Sequence, residues 1–198
     1  MKGTLFLNGE PPKNPIPVGV KVCCDGAYSY LKKLNISPDV ILGDFDSLKK
    51  VVEGAIVYPK EKDLTDGEIG VDYLIEKGCD EIVIYGGGGK REDHFLGNLH
   101  LLLKCLFKGV KAKMITEYAE LFVCNGKARF DAIVGQTISL VPFYGLVHII
   151  NGSGLKYPVI NVDLPYGSTL GISNVATANT VEFEVDSGVL LVCKVIKE

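Results

Sequence analysis

The sequence predicts a mixed α/β chain in two parts: a mostly parallel sheet covered by helices on both faces, then an antiparallel sandwich or barrel. Two textures carry this prediction. As far as Tyr118, short apolar runs alternate with stretches of helical spacing. Beyond it, β-rich runs follow one another between turn residues without a helical period. A third observation is that short acids stand directly after several apolar runs, where open α/β sheets place their ligands.

The 198 residues allow one large domain or two modest ones, with an ordinary globular balance of 47% apolar and 23% charged residues. A formal charge of −3 gives no reason to expect non-specific binding to nucleic acid or to an anionic membrane, so any bound phosphate must be held locally. The six cysteines lack the spacing of a zinc site or a disulfide framework and read as buried free thiols in a reducing compartment. With no signal peptide and no apolar run long enough for a bilayer, the expected location is the cytoplasm.

Taken in order, Thr4–Leu7 reads as a first strand and the proline-rich segment from Pro11 to Pro17 as a loop. Val18–Cys24 is a second strand, ending at Asp25-Gly26, and a short helix through Tyr28, Leu31 and Leu34 follows. Val40-Ile41-Leu42 is a buried strand with Asp44 and Asp46 at its end, and Ala55–Tyr58 is another strand. Two carboxylates ~5 Å apart repel by roughly 3 kcal/mol at a dielectric near ~20, so such acids call for a cation, with Mg²⁺ or Mn²⁺ the natural choice for oxygen ligands. The alternative is that Asp25, Asp44, Asp46 and Ser47 only form turns and cap helices. Thr65 and Glu68 have capping-box spacing ahead of a helix through Ile69, Leu74 and Ile75, which leaves Asp63 and Asp66 needing another reason.

Glu81–Tyr85 is a strand running into Gly86-Gly87-Gly88-Gly89-Lys90-Arg91, and a helix follows with Phe95, Leu99, Leu102 and Leu106 on one face. Arg91, His94 and Asn98 share a polar stripe at its start. Glycines admit a ligand close to the backbone and helix N-termini favour anions, so this is a candidate nucleotide phosphate site, although it fits neither the P-loop nor the dinucleotide fingerprint. Lys111–Thr116 closes the first half as a strand. In the second half the strand-like runs are 121–124, 128–133, 137–141, 146–150, 180–185 and 189–196. Two polar segments, 151–158 and 167–174, interrupt them as loops.

Together, Asp25-Gly26, Gly43-Asp44-Phe45-Asp46-Ser47, Lys62-Asp63-x-Thr65-Asp66-x-Glu68, Arg91-x-Asp93-His94-x-x-x-Asn98, Gly154-Leu155-Lys156-Tyr157-Pro158 and Gly171-x-Ser173-Asn174 resemble, in order and spacing, the motifs of the thiamin pyrophosphokinase family. The resemblance covers nearly the whole chain. It departs at Asp25-Gly26-Ala27-Tyr28, where the family has D-G-G-A, and at Gly89-Lys90-Arg91, where it has G-G-R.

The resemblance implies a three-layer, Rossmann-like α/β catalytic domain that binds ATP and Mg²⁺ over residues 1–118. It implies an antiparallel β-sandwich over residues 119–198 for thiamin binding and dimerisation, in a homodimer with the thiamin site between subunits. The implied reaction converts ATP and thiamin into AMP and thiamin diphosphate. Asp44, Asp46 and Asp66, with Asp25 beside them, would be the catalytic metal ligands, and Arg91 would contact phosphate. Asp63, Thr65, Asp93, His94 and Asn98 would shape the nucleotide pocket. Tyr157 would stack on thiamin, with Lys156, Ser173 and Asn174 around it. Two rivals share these features: a diphosphokinase for another heteroaromatic alcohol such as a hydroxymethylpterin, and a non-catalytic nucleotide or thiamin sensor.

Overall fold

Alternation along the first two strands sets the layering of the first half. Phe6 of β1 (Lys2–Phe6) and Cys23 of β2 (Val20–Cys24) pack with Tyr30 and Leu31 of helix α1 (Ala27–Lys33). Their neighbours Leu5 and Cys24 face the opposite side, against Gly70 of α2 (Asp66–Glu76). A sheet with helices on both faces results. The structure, a computed structural model, describes residues 1–45 and 52–196, and the chain divides into two compact units, Met1–Glu117 and Tyr118–Glu198.

The first unit adds β3 (Val40–Gly43), β4 (Ile56–Val57), β5 (Glu81–Tyr85), helix α3 (Glu92–Phe107) and β6 (Lys111–Ile115). Its strands pair in the order β6-β5-β1-β2-β3-β4, all parallel. Succession therefore runs outward from β1 in both directions, which makes the carboxyl end of β1 the switch point where a crevice opens. The segments leaving β1, β2, β3 and β5 all emerge there. Tyr30 helps to fix this end, donating its hydroxyl to the Leu7 carbonyl at 2.9 Å.

The second unit contains β7 (Ala119–Cys124), β8 (Lys127–Asp131), β9 (Thr137–Ser153), β10 (Val162–Leu164), β11 (Asn174–Val175) and β12 (Thr180–Val195), with every pairing among them antiparallel. The late part of β12, Leu190–Val195, lies against β7, and most of it also pairs with the start of β9, which carries β11 on its other side. The early part, Thr180–Glu184, lies against β8 and partly against the end of β9, which carries β10. Two layers thus share two long bent strands, giving a β-sandwich. Ile138, Leu140, Val147, Ile149, Phe183 and Leu190 are among the side chains that fill it.

This corrects the strand count. Residues 137–150 read as two strands and 180–196 as two more, but each region forms one continuous strand. Pro142 with Gly145, and Asp186-Ser187-Gly188, look like turn signals. In the structure β12 passes its turn-like residues through register shifts between Glu184 and Leu190. Gly188 has φ +73°, and a Cβ there would lie 2.5 Å from the Leu146 carbonyl oxygen. A bulge bends the strand without ending its pairing. No helix among the described residues is long and apolar enough to cross a membrane.

Candidate active site

Each acid of the site is delivered by the end of a regular element. Asp25 follows β2 in the left-handed region at φ +42°, and its backbone N–H donates to the Leu42 carbonyl of β3 at 2.8 Å. Asp44 follows β3. The ends of β2 and β3 can approach because Gly43 stands between: a Cβ there would lie 3.0 Å from the Asp25 Cβ and 3.2 Å from its Cα. Asp66 opens α2, whose N-cap Thr65 accepts a hydrogen bond from the Glu68 N–H at 3.2 Å. Asp25, Asp44 and Asp66 each bring a carboxylate oxygen to within 4.8 Å of the others.

The helix-cap reading of Asp25 fails on geometry, since Gly26 is the N-cap of α1 and no side chain caps it. Asp25 is 6% exposed, and its Oδ1 has no hydrogen-bond partner among the described residues. Leaving a buried carboxylate oxygen without a partner costs free energy, so Asp25 Oδ1 calls for a donor or a cation. Three hard oxygen donors in a cluster suit Mg²⁺ or Mn²⁺.

Lys62, to which the sequence motifs assign no role, also enters the cluster. Its ammonium lies 3.4 Å from Asp44 Oδ2 and 3.2 Å from Asp66 Oδ1, with the side chain only 15% exposed. Asp66 Oδ1 makes an ion-pair contact here, not an aligned hydrogen bond. Burial lifts the Asp66 carboxyl above the ordinary aspartate range in spite of Lys62. Burial also pulls the Lys62 ammonium down, but the attraction of the Asp66 and Asp44 carboxylates outweighs it and holds the pKa above that of a free lysine.

The opposite wall comes from the glycine run after β5. Gly9 and Glu10 donate their N–H groups to the carbonyls of Gly86 and Gly88, at 2.8 and 2.7 Å, tying this run to the segment leaving β1. Asn98 of α3 donates its amide to the Gly87 carbonyl at 2.8 Å. Lys90 donates to the Asn8 carbonyl at 2.8 Å, so its charge is fixed at the rim. Arg91 is the N-cap residue of α3, and its guanidinium pairs with Asp93 at 2.5 Å in an exposed setting. A cleft of about 450 Å³ lies between the walls, lined by Asp25, Asp44, Asp66, Thr65, Arg91, His94 and Asn98, with Lys62 and Lys90.

Most of the acids and nucleotide-side residues proposed from the sequence therefore meet in one cleft. Asp63 and Asp93 do not line it: both are exposed, and Asp93 instead holds Arg91. Asp46 and Ser47 lie outside the described residues. Lys62 was the main omission. Its signal was present in the i, i+4 spacing to Asp66, but that spacing is common on helices and Lys62 precedes the helix.

In the second unit, Tyr157 is 58% exposed and Lys156 holds its ammonium 5.5 Å from the Tyr157 ring centre. Asn174 is 4% exposed and is consumed by internal bonds: its oxygen accepts from the N–H groups of Tyr157 and Val175, and its amide donates to the Tyr157 carbonyl. It therefore fixes the backbone of Tyr157. Ser173 has φ +59°, and its N–H donates to the Ser139 hydroxyl at 3.0 Å.

Comparison with known proteins agrees with both halves. Residues 18–114 match the family model described as thiamin pyrophosphokinase, catalytic domain, and residues 127–190 match thiamin pyrophosphokinase, vitamin B1 binding domain. Thiamine pyrophosphokinase of Bacillus subtilis is 31% identical over 199 aligned positions, covering 95% of this chain and 91% of its own length. Thiamin pyrophosphokinase 1 of Caenorhabditis elegans is 25% identical, covering 94% and 86%. Among solved structures, the Bacillus subtilis thiamine pyrophosphokinase superposes with a TM-score of 0.87 at 29% identity, with both chains covered in full. That of Geobacillus thermodenitrificans gives 0.82 at 26% identity, covering 100% of this chain and 99% of its own.

Proposed function

The chain belongs to the thiamin pyrophosphokinase family, and on that premise we propose that the acidic cleft of its first unit is where the diphosphoryl group changes hands. Its activity is that of an ATP-dependent diphosphotransferase making thiamin diphosphate. The thiamin hydroxyl oxygen attacks the β-phosphorus of ATP, the bond from that phosphorus to the α,β-bridging oxygen breaks, and AMP leaves. The observation that carries the site reading is the convergence of Asp25, Asp44 and Asp66 within 4.8 Å in a cleft with a glycine-rich, basic far wall.

A divalent cation such as Mg²⁺ at the acids would neutralise charge on the polyphosphate and on the departing AMP. Asp25, Asp44 and Asp66 would hold it. Arg91 leaves its exposed partner Asp93 to make paired hydrogen bonds to phosphate, a change that costs little because an exposed ion pair is weak. Lys90 and His94 add polar contacts along the same rim, while Asn98 keeps the Gly87 carbonyl in place and so shapes that wall. Thr65 holds the start of α2, and with it the carboxylate of Asp66. The hydroxyl proton goes to a carboxylate of the cluster.

On the second unit, the exposed ring of Tyr157 offers a face for the cationic thiazolium ring of thiamin, with Ser173 a further polar contact and Asn174 holding the Tyr157 backbone. Lys156 then moves aside, since it lies over the ring as a competing cation. We take the working form to be a cytoplasmic homodimer. A panel of alcohols with ATP and Mg²⁺ tests the reading. AMP formed together with thiamin diphosphate is the expected result. Turnover of a hydroxymethylpterin without turnover of thiamin, or no AMP with either, would overturn it.

A further inference from the structure

Lys62 occupies the oxygens that a divalent cation would use. It touches Asp44 and Asp66, two of the three clustered acids, at 3.4 and 3.2 Å, and its ammonium also donates to the Pro59 carbonyl at 3.3 Å. The side chain is largely withdrawn from solvent while lining the cleft. A fixed positive charge this close to two carboxylates neutralises part of their repulsion. The same charge repels any cation that approaches them.

We propose that Lys62 is a built-in counter-ion that competes with the divalent cation for Asp44 and Asp66, and that it turns to the nucleotide polyphosphate once the cation has taken those oxygens. This rests on the reading of the acids as the cation site. The nucleotide side of the device follows from charge balance. A divalent ion on the carboxylates makes their pairing with an ammonium weaker, whereas a polyphosphate in the same cleft is the strongest anion within the reach of a flexible lysine. Entry of the cation alone is then disfavoured, and entry of the cation together with nucleotide is favoured. The coupling works in both directions, as linkage requires.

The test is calorimetric titration of Mn²⁺ into nucleotide-free protein, comparing wild type with Lys62→Met, Lys62→Arg and Lys90→Met. Lys62→Met should bind Mn²⁺ about tenfold more tightly, because a competing charge is gone. Lys62→Arg keeps the charge and should stay within about twofold of wild type. Lys90→Met removes a cleft charge that is bonded to Asn8, and should also stay within about twofold, excluding a general field effect. In turnover assays Lys62→Met should raise the KM for ATP severalfold and leave that for thiamin unchanged. Equal or weaker Mn²⁺ binding by Lys62→Met would overturn the competition, and an unchanged ATP KM would overturn the turn toward polyphosphate. An Asp44→Asn arm separates the underlying reading: if it leaves Mn²⁺ binding intact, the acids are not the cation site and both proposals fall. Thermal unfolding of each variant shows that a change in binding is not a loss of fold.

Discussion

Asn98 shows how one side chain links the fold to the site. The hydrogen bond its amide donates to the Gly87 carbonyl joins helix α3 to the glycine run that forms one wall of the cleft. Asn98→Ala should cost about 1 kcal/mol in urea unfolding, the usual value of such a bond. The freed loop should raise the KM for ATP more than the KM for thiamin in steady-state assays. Equal rises in both would assign Asn98 to general stability instead. At this scale the sequence is informative about chemical type but not about partners. Asp25 and Asp44 stand out as acids after apolar runs and Asp66 as an acid that the capping box leaves unexplained, whereas the bonds of Asn98 and Asn174 to backbone carbonyls depend on loops that only tertiary structure brings near. Lys62 is harder to read because its i, i+4 spacing to Asp66 is common and its contact with Asp44 is tertiary.

At the scale of elements, the parallel half was readable because each strand and helix announces itself by its own period, and the acids fall at strand ends by simple counting. The sandwich was readable as β-structure but not in its strand count. Asp186-Ser187-Gly188 has the composition of a hairpin turn, and only the facing strand decides that β12 passes through it as a bulge. Gly188→Ala tests this. With φ at +73° and a carbonyl oxygen 2.5 Å from the added Cβ, the substitution should cost about 2 kcal/mol or more in chemical denaturation. A cost near zero would mean that the strand can bend elsewhere. Thr65 illustrates a reading that served at both levels, since it caps α2 as its spacing suggested and thereby sets Asp66 at the cleft.

At the scale of the whole molecule, the cysteines behave as core side chains. Burial pushes Cys23, Cys105 and Cys124 up to about 12 and Cys193 to about 11, against 9.0 for a free thiol. Because the folded values are raised, the unfolded chain loses these protons first as pH rises, and the stabilisation present below pH 9 is lost on passing through the folded values. Urea midpoints should therefore fall steadily from about pH 9 upward, and replacing Cys105 with Ser should reduce that slope. A flat profile would show that the thiols are accessible in the native state.

The central claim, that the clustered acids are the chemical centre, is tested most directly on a single helix. Asp66 belongs to the cluster, while Asp72 lies further along α2 and is paired with Lys104 at 2.6 Å. The measurement is kcat for AMP formation from ATP and thiamin by Asp66→Asn and Asp72→Asn. The expected result is a loss on the order of 100-fold or more for Asp66→Asn and a change within about threefold for Asp72→Asn. Similar kcat values for the two variants would contradict it.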